Sequence, residues 1–390
     1  MAARKSSLEK MVNFYKTYAG KRVWISGHTG FKGSWLSQWL VILGAQVHGY
    51  GLKTNTRPSL FDQLELARHV EHEVKDIRNP ECVCKSILSC RPDFIFHLAA
   101  QAIVRHSYQI PRETFETNAM GSVNLLEAVR KYTASGKAPQ ILPVIVVTTD
   151  KVYQNFETNN YYKETDRLGG FDPYSSSKAM VETVVASYRK SFFQSKPVRL
   201  VTARAGNVIG GGDWAQDRIF PDVVRALTQG QPVMVRNPDC VRPWQHVLEA
   251  ASGYLKLGVK LAQGPNIREP LPKEMRRSGY YVLKNTLSGA FNFSPEAESN
   301  RSVKTLVKEI LKNWPGKSLF PKLMEAPHEA GILRLDNSLA KEELDWRPRW
   351  GFSEAVRHTV AWYRECGRSS AVLRDFTMRQ IYNYSCRSKS

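Results

Sequence analysis

At 390 residues, with 42% hydrophobic and 24% charged side chains, the chain has enough apolar material for one large or two ordinary domains and too much for a disordered polymer. Its formal net charge of +20 raises nucleic acid and membrane surfaces as partners, but no long block of like charge occurs and aromatics are not interleaved with the bases, so no single-strand stacking surface is indicated. No apolar run reaches the roughly 18 residues that cross a bilayer, and the six cysteines form no paired C-x-x-C set, which argues against a metal centre or a disulfide framework and fits a reducing cytoplasm.

Residues 1–20 are basic and lack an apolar core, so they are expected to be an extension, neither a cleaved signal nor an anchor. From Lys21 strand patterns alternate with helical ones: RVWIS, GSWLSQWLVILGA, QVHGYGL, then DFIFHLAA, NLLEAVRKY, VIVVTT, AMVETVVASYRKSFF and VRLVTAR. That alternation implies parallel pairing through right-handed crossovers, and the unbroken apolarity of FIF and VIVV implies central strands covered on both faces. The expected fold class is α/β, a Rossmann-like doubly wound parallel sheet over residues 21–205. Beyond Arg204, Gly, Pro and Asn become frequent. Residues 206–365 are therefore expected to be mainly a smaller C-terminal substrate-binding lobe, with a return to the core left open, and 366–390 a basic tail. The polar stretch near 265–285 reads as a surface insertion.

Gly27, Gly30 and Gly33 stand between the first strand and the first helix, whose apolar face is Trp35, Leu36, Trp39, Leu40 and Leu43. Such glycines let the backbone turn, approach a pyrophosphate and pack helix on strand, with the helix amino end facing the anion. About 20 residues further on, an NAD site usually offers an acid to the ribose. Here the second strand is followed by GYGLKTNTRPS, with Lys53 and no acid, so the ribose is held otherwise or a 2′-phosphate is tolerated. Asp76 and Ile77, after a third strand pattern, are candidates to flank the adenine, an acid that merely starts a turn being equally open.

The run VIVVTTDKVY, residues 144–153, ends a buried-looking strand on an adjacent acid and base, and an ordinary polar strand end explains it as well as a functional pair does. Tyr174 and Lys178 lie four apart, on one face of a helix. An ammonium nearby favours phenolate, so Lys178 is expected to lower the Tyr174 pKa until the tyrosine takes a proton from a substrate hydroxyl.

With GHTGFKGSWLSQWL, PSLFD, FHLAAQAIVRHSY, TDKVY, DPYSSSK, ARAGNVIGGGDW, VRPWQHVLE and LDWRPRWG, the chain resembles the extended short-chain dehydrogenase/reductases that act on nucleotide sugars, and within them the CDP-glucose 4,6-dehydratase family, from about Lys21 to Tyr363. The resemblance implies oxidation of the sugar at C4, loss of water across C5 and C6, and return of the hydride to C6, with NAD recycled internally. NADP stays open because of Lys53. It makes Asp150 the acid, Lys151 the base and Thr149 a partner of the C4 oxygen beside Tyr174, with Asn118 supporting the hydrogen-bond network. Phe31 and Ala99 join the glycines, Asp76, Ile77, Tyr174 and Lys178 around the cofactor, and Asn207, Arg242 and His328 are expected at the sugar diphosphate. Trp214 and Trp244 line the base pocket or fill core. No metal ion, no specific nucleic acid and no membrane is expected, and the likeness implies a homodimer through a pair of helices. The rival readings are a nucleotide-sugar 4-epimerase or reductase on the same fold, which has no use for Asp150 and Lys151, and a silent member that binds nucleotide or nucleic acid.

Overall fold

The computed structural model describes residues 14–194, 197–263, 289–321 and 331–386. Seven strands build one sheet: β1 (Arg22–Ser26), β2 (Gln46–Gly51), β3 (Glu71–Val74), β4 (Phe94–His97), β5 (Leu142–Val147), β6 (Val198–Ala205) and β7 (Ala290–Phe293). Their order is β7-β6-β5-β4-β1-β2-β3, and every neighbouring pair is parallel. The chain starts in the middle, winds outward through β2 and β3, then returns to β4 on the other side of β1. A crevice forms at such a reversal, beyond the carboxyl ends of the strands.

The strands β5 (LPVIVV) and β6 (VRLVTARA) are buried at every position. Successive side chains face opposite layers: Val23 and Ile25 enter one core with Trp35, Leu36 and Trp39 of α1 (Phe31–Ile42), while Trp24 enters the other. The second layer contains α2 (Pro80–Cys90), α3 (Gly121–Ala134) and α4 (Pro173–Ser191), which supply Val83, Leu125, Val129, Val181 and Val185. The edge strand β3, EHEV, is mostly exposed, as a charged edge resistant to further pairing should be.

After β6 come α5 (Ile219–Thr228), α6 (Val247–Ala262), α7 (Val303–Asn313), α8 (Phe352–Glu365) and α9 (Ser370–Cys386). This half does return to the core: α6 packs on β5 and α1, and β7 extends the sheet beside β6 with Ala290 opposite Thr202. The expectation of a basic tail over 366–390 is corrected by α9, which buries Leu373, Thr377, Ile381 and Tyr384 against the α1 layer. Their spacing is a helical stripe that the arginines around it disguise, one of which, Arg379, simply pairs with Asp375 at i−4. Nor is the start of the chain wholly detached, because Tyr18 is fully buried and donates to the Leu255 carbonyl at 2.8 Å. Glu249 of α6 fastens α9 and the loop before α8: its carboxyl accepts from Arg349 N at 2.9 Å, Trp350 N at 2.7 Å and the Tyr384 hydroxyl at 2.6 Å.

Candidate active site

Parallel strands put all their exits on one edge, so the segments after β1, β4, β5 and β6 converge without further instruction from the sequence. After β1, Gly27 holds φ at +73°, and a Cβ there would stand 2.6 Å from Ala99 N, while one at Gly33 would stand 2.1 Å from Gly27 O. No side chain caps Gly30 and no acid sits in the first turn of α1, which begins at Phe31. Its amino end therefore keeps free donors and an uncompensated positive dipole at a turn of minimal bulk, which fits the diphosphate of a dinucleotide. Ala99 N donates to Ser26 Oγ at 3.2 Å, tying the exits of β1 and β4 together. Asp76 is gripped by Arg78 at 2.6 and 2.9 Å, and Ile77 is buried under Gly121. Lys53 is exposed just past β2.

At the exit of β5 the backbone makes a single tight turn over Asp150–Val152, started by Thr149. The Thr149 hydroxyl donates to Asp150 Oδ1 at 2.8 Å, and Lys151 Nζ donates to the same oxygen at 2.9 Å. Asp150 is fully buried and its Oδ2 has no partner in the protein. The polar strand end is thus a formed acid–base pair, with one carboxylate oxygen still unsatisfied in a site where an orphan acceptor is costly.

The helix α4 opens with Pro173 after Asp172, whose side chain accepts from Ser175 N at 2.9 Å. It presents Tyr174 to the same cleft that Thr149, Asp150 and Lys151 line. Burial pushes the Tyr174 phenol up to about 12, with Asp150 and Asp172 adding to the rise and Thr149 and Arg218 opposing it. The lowering expected from Lys178 does not outweigh that burial in the protein alone. Lys178 Nζ donates to the Val147 carbonyl at 3.1 Å, and burial brings its own pKa down to about 8. The Asn118 amide donates to Ser177 Oγ at 2.8 Å and to the Gln101 carbonyl, and accepts from Gln101 N, locking α4 to the β4 exit.

These groups surround a cleft of about 390 Å³, lined by Thr149, Asp150, Lys151 and Tyr174 together with Asn207, Arg218, Arg236, Arg242 and Trp244 from the segment after β6. Lys178 and Asn118 lie behind the lining, and Gly27, Gly30, Phe31, Gly33, Asp76, Ile77 and Ala99 lie outside it. Asn207 Oδ1 is buried without a partner, and Arg242 spends one nitrogen on the Val241 and Gly331 carbonyls. Trp214 leaves the lining and packs edge-on against Tyr363. His328 and the 265–285 insertion lie outside the described residues. Sequence reasoning missed Lys32, Arg105, Arg218 and Arg236, all of which line the cleft. Lys32 was the most readable of them, a cation inside the glycine loop, and burial with Arg218, Lys151 and Lys178 nearby brings it down to about 7 against the pull of Asp150. Among the described residues no cluster of His, Cys, Asp and Glu is able to hold a metal ion, and no helix is long and apolar enough to cross a membrane.

Residues 24–265 match the family model described as GDP-mannose 4,6 dehydratase. The chain is 41% identical over 380 residues to CDP-glucose 4,6-dehydratase of Salmonella typhimurium, spanning 95% of this chain and 97% of that one. Among solved structures, UDP-glucose 4-epimerase from Thermotoga maritima superposes with a TM-score of 0.70 at 20% identity, covering 89% of this chain and 99% of the other. A dTDP-glucose 4,6-dehydratase from Streptomyces venezuelae, solved with NAD bound, does so at 0.70 and 19% identity, covering 88% and 97%. At that identity the structures establish the shared fold, whereas the Salmonella likeness runs nearly end to end: the chain belongs to the CDP-glucose 4,6-dehydratase family of the extended short-chain dehydrogenase/reductases.

Proposed function

We propose that the protein converts CDP-glucose to CDP-4-keto-6-deoxyglucose, with NAD as a cofactor that ends each turnover as it began. The observation that carries this reading is the Asp150–Lys151 pair, held with Thr149 on the wall of the same cleft as Tyr174. An epimerase needs the tyrosine but has no step for the pair.

Gly27, Gly30, Gly33 and the amino end of α1 would hold the cofactor diphosphate, with Phe31, Ala99, Asp76 and Ile77 around the rest. When bound, the dinucleotide would supply the hydride acceptor for C4 and the hydride donor for C6. Tyr174, once deprotonated, accepts the proton of the C4 hydroxyl, and Thr149 hydrogen-bonds the same oxygen. Because the phenol is raised by burial, that transfer leans on Thr149 and Arg218, the two groups that pull it down. With C4 oxidised, the C5 hydrogen is acidic. Elimination then needs a neutral amine at C5 and a protonated carboxyl at the C6 hydroxyl. Movement of one proton along the 2.9 Å Lys151–Asp150 hydrogen bond produces both at once. Lys151 takes the C5 proton, Asp150 gives its proton to the departing hydroxyl as water leaves, and Lys151 gives its proton back to C5 when hydride arrives at C6; exchange with water then restores the charges of Tyr174 and of the pair. Asn207 and Arg242 receive the sugar diphosphate, since an arginine fork matches phosphate oxygens.

The reading extends to a cytoplasmic homodimer. Six free cysteines suit a reducing compartment, and Met120 and Met180 are exposed at α3 and α4. The test is loss of one water, followed by mass spectrometry, from CDP-glucose beside dTDP-, UDP- and GDP-linked hexoses, with NAD or NADP. Loss from CDP-glucose with NAD is the expected result. Loss from no sugar with either cofactor would remove the dehydratase reading.

A further inference from the structure

Beneath the cleft lies an ion pair that no step of the reaction touches. Glu182 of α4 and Arg204 of β6 meet at 2.8 Å with side chains 3% and 4% exposed. Removing two charges from water costs more than a well-packed apolar pair of similar shape, so stability alone is a poor account of such a pair. Its remaining contacts are more telling. Glu182 accepts from Thr148 Oγ1 at 2.5 Å, Thr202 Oγ1 at 2.7 Å and Arg204 Nε at 3.0 Å, in addition to the 2.8 Å contact with Nη2. Arg204 Nη1 donates to the Tyr153 hydroxyl at 2.7 Å and to the Glu164 carbonyl at 3.2 Å, and Tyr153 donates onward to Asn292 Oδ1 of β7 at 2.8 Å.

Thr148 immediately precedes Thr149, and Tyr153 immediately follows the turn that carries Asp150 and Lys151. Both ends of that turn are therefore tied to one buried pair. The pair is itself fixed to α4, where Tyr174, Lys178 and Glu182 recur every fourth residue along one face. We propose that Glu182 and Arg204 are positioning residues for the reaction, holding the Asp150–Lys151 turn in register with Tyr174 and Lys178 so that one sugar meets both pairs. The assignment rests on the dehydratase reading and deepens it: oxidation at C4 and elimination at C5 and C6 occur on adjacent atoms, so a small slip of the turn against α4 separates two chemistries that share one substrate. Glu182 also supplies the negative charge that opposes the effect of burial on Lys178. The other titratable groups whose fields couple with Lys178 are Lys32 of α1 and His97 of β4.

The experiment compares the full chain with Glu182→Gln and Thr148→Val, measuring turnover of CDP-glucose with NAD across pH beside the folded fraction by circular dichroism. Glu182→Gln keeps the shape and removes the charge. It is expected to lower kcat by roughly 10- to 100-fold with KM nearly unchanged, and to move the pH–rate limb governed by Lys178 about one unit toward acid. Thr148→Val cuts one tether and keeps the ion pair, so it lowers kcat about tenfold and leaves that limb in place. The proposal is overturned if a folded Glu182→Gln keeps both its kcat and its pH limb, or if activity in both variants falls only with the folded fraction. Should Glu182→Gln fail to fold, wild-type kcat in both Thr148→Val and Tyr153→Phe overturns it instead. A wild-type protein that releases no water from CDP-glucose sinks the dehydratase reading and this proposal together, whereas an active wild type with indifferent variants sinks the proposal alone.

Discussion

The two walls of the cleft are built differently. The chemical wall, from Thr148 to Lys178, hangs on a buried strand end and a capped helix, and its polar atoms are joined through buried side chains down to Glu182 and Arg204. The recognition wall, from Asn207 to Arg242, is loop and short strand around the helix α5. It carries an exposed pairing, where Asp217 bridges Arg105 and Arg236 at 3.0 Å with all three side chains more than a third exposed, beside one half-buried pair of Arg218 with the buried Asp213. Buried pairs fix geometry, whereas exposed ones exchange partners with little loss. On the proposed reading, the contrast sets the reacting groups in stiff surroundings and the groups offered to the nucleotide diphosphate in adjustable ones.

Substitutions on the chemical wall should therefore fall on kcat and separate the steps. Tyr174→Phe is expected to suppress cofactor reduction itself, by roughly 100- to 10,000-fold. Lys151→Ala should lose water elimination by a similar factor and still reduce the cofactor in a single turnover, read by nicotinamide absorbance. Equal loss of both steps in Lys151→Ala would show that the turn works as one unit and dissolve the division of roles. Smaller and different in kind is Arg236→Ala on the other wall, where KM for CDP-glucose should rise about tenfold at nearly constant kcat, the signature of binding energy used equally in ground and transition states. A fall in kcat there would erase the contrast between the walls.

The smallest effect concerns stability away from both walls. Burial raises Glu249 from 4.5 to about 7, opposed by its hydrogen bonds from Tyr384, Trp350 and Arg349. A carboxyl whose folded pKa is raised contributes most below its unfolded pKa and loses that contribution as pH climbs to the folded one. Thermal unfolding should show Glu249→Gln gaining on wild type between pH 4.5 and 7 and running parallel above it. A constant offset across that window would mean that the site ionises without cost.

The glycine loop and the acid–base turn were legible because their residues are neighbours in sequence and sit at strand ends, where hydrophobic periodicity breaks. Tyr174 and Lys178 were legible because four residues make one helical turn. Glu182 and Arg204 were not read, although two arginines inside the wholly buried strand VRLVTARA were a visible anomaly. Their meaning depends on a contact 22 residues apart that parallel pairing creates and no local pattern announces. The behaviour of Tyr174 escaped for a related reason: spacing places Lys178 on the same helix face, but only the fold directs its ammonium to the Val147 carbonyl. The α9 stripe was hidden by composition, because counting arginines masks a helix whose apolar residues are few and regularly spaced.

That last helix has a consequence for how the molecule comes into being. Tyr384 of α9 stacks edge-on against Trp39 of α1 at 5.7 Å, and Arg374 donates to Gln38 at 3.2 Å, so the face of the dinucleotide helix turned away from the sheet is covered by residues translated more than three hundred positions later. The strand β7, which completes the sheet, is also a late arrival. On the ribosome, the first half of the chain thus carries its glycine loop with an apolar back still bare until β7 and α9 emerge.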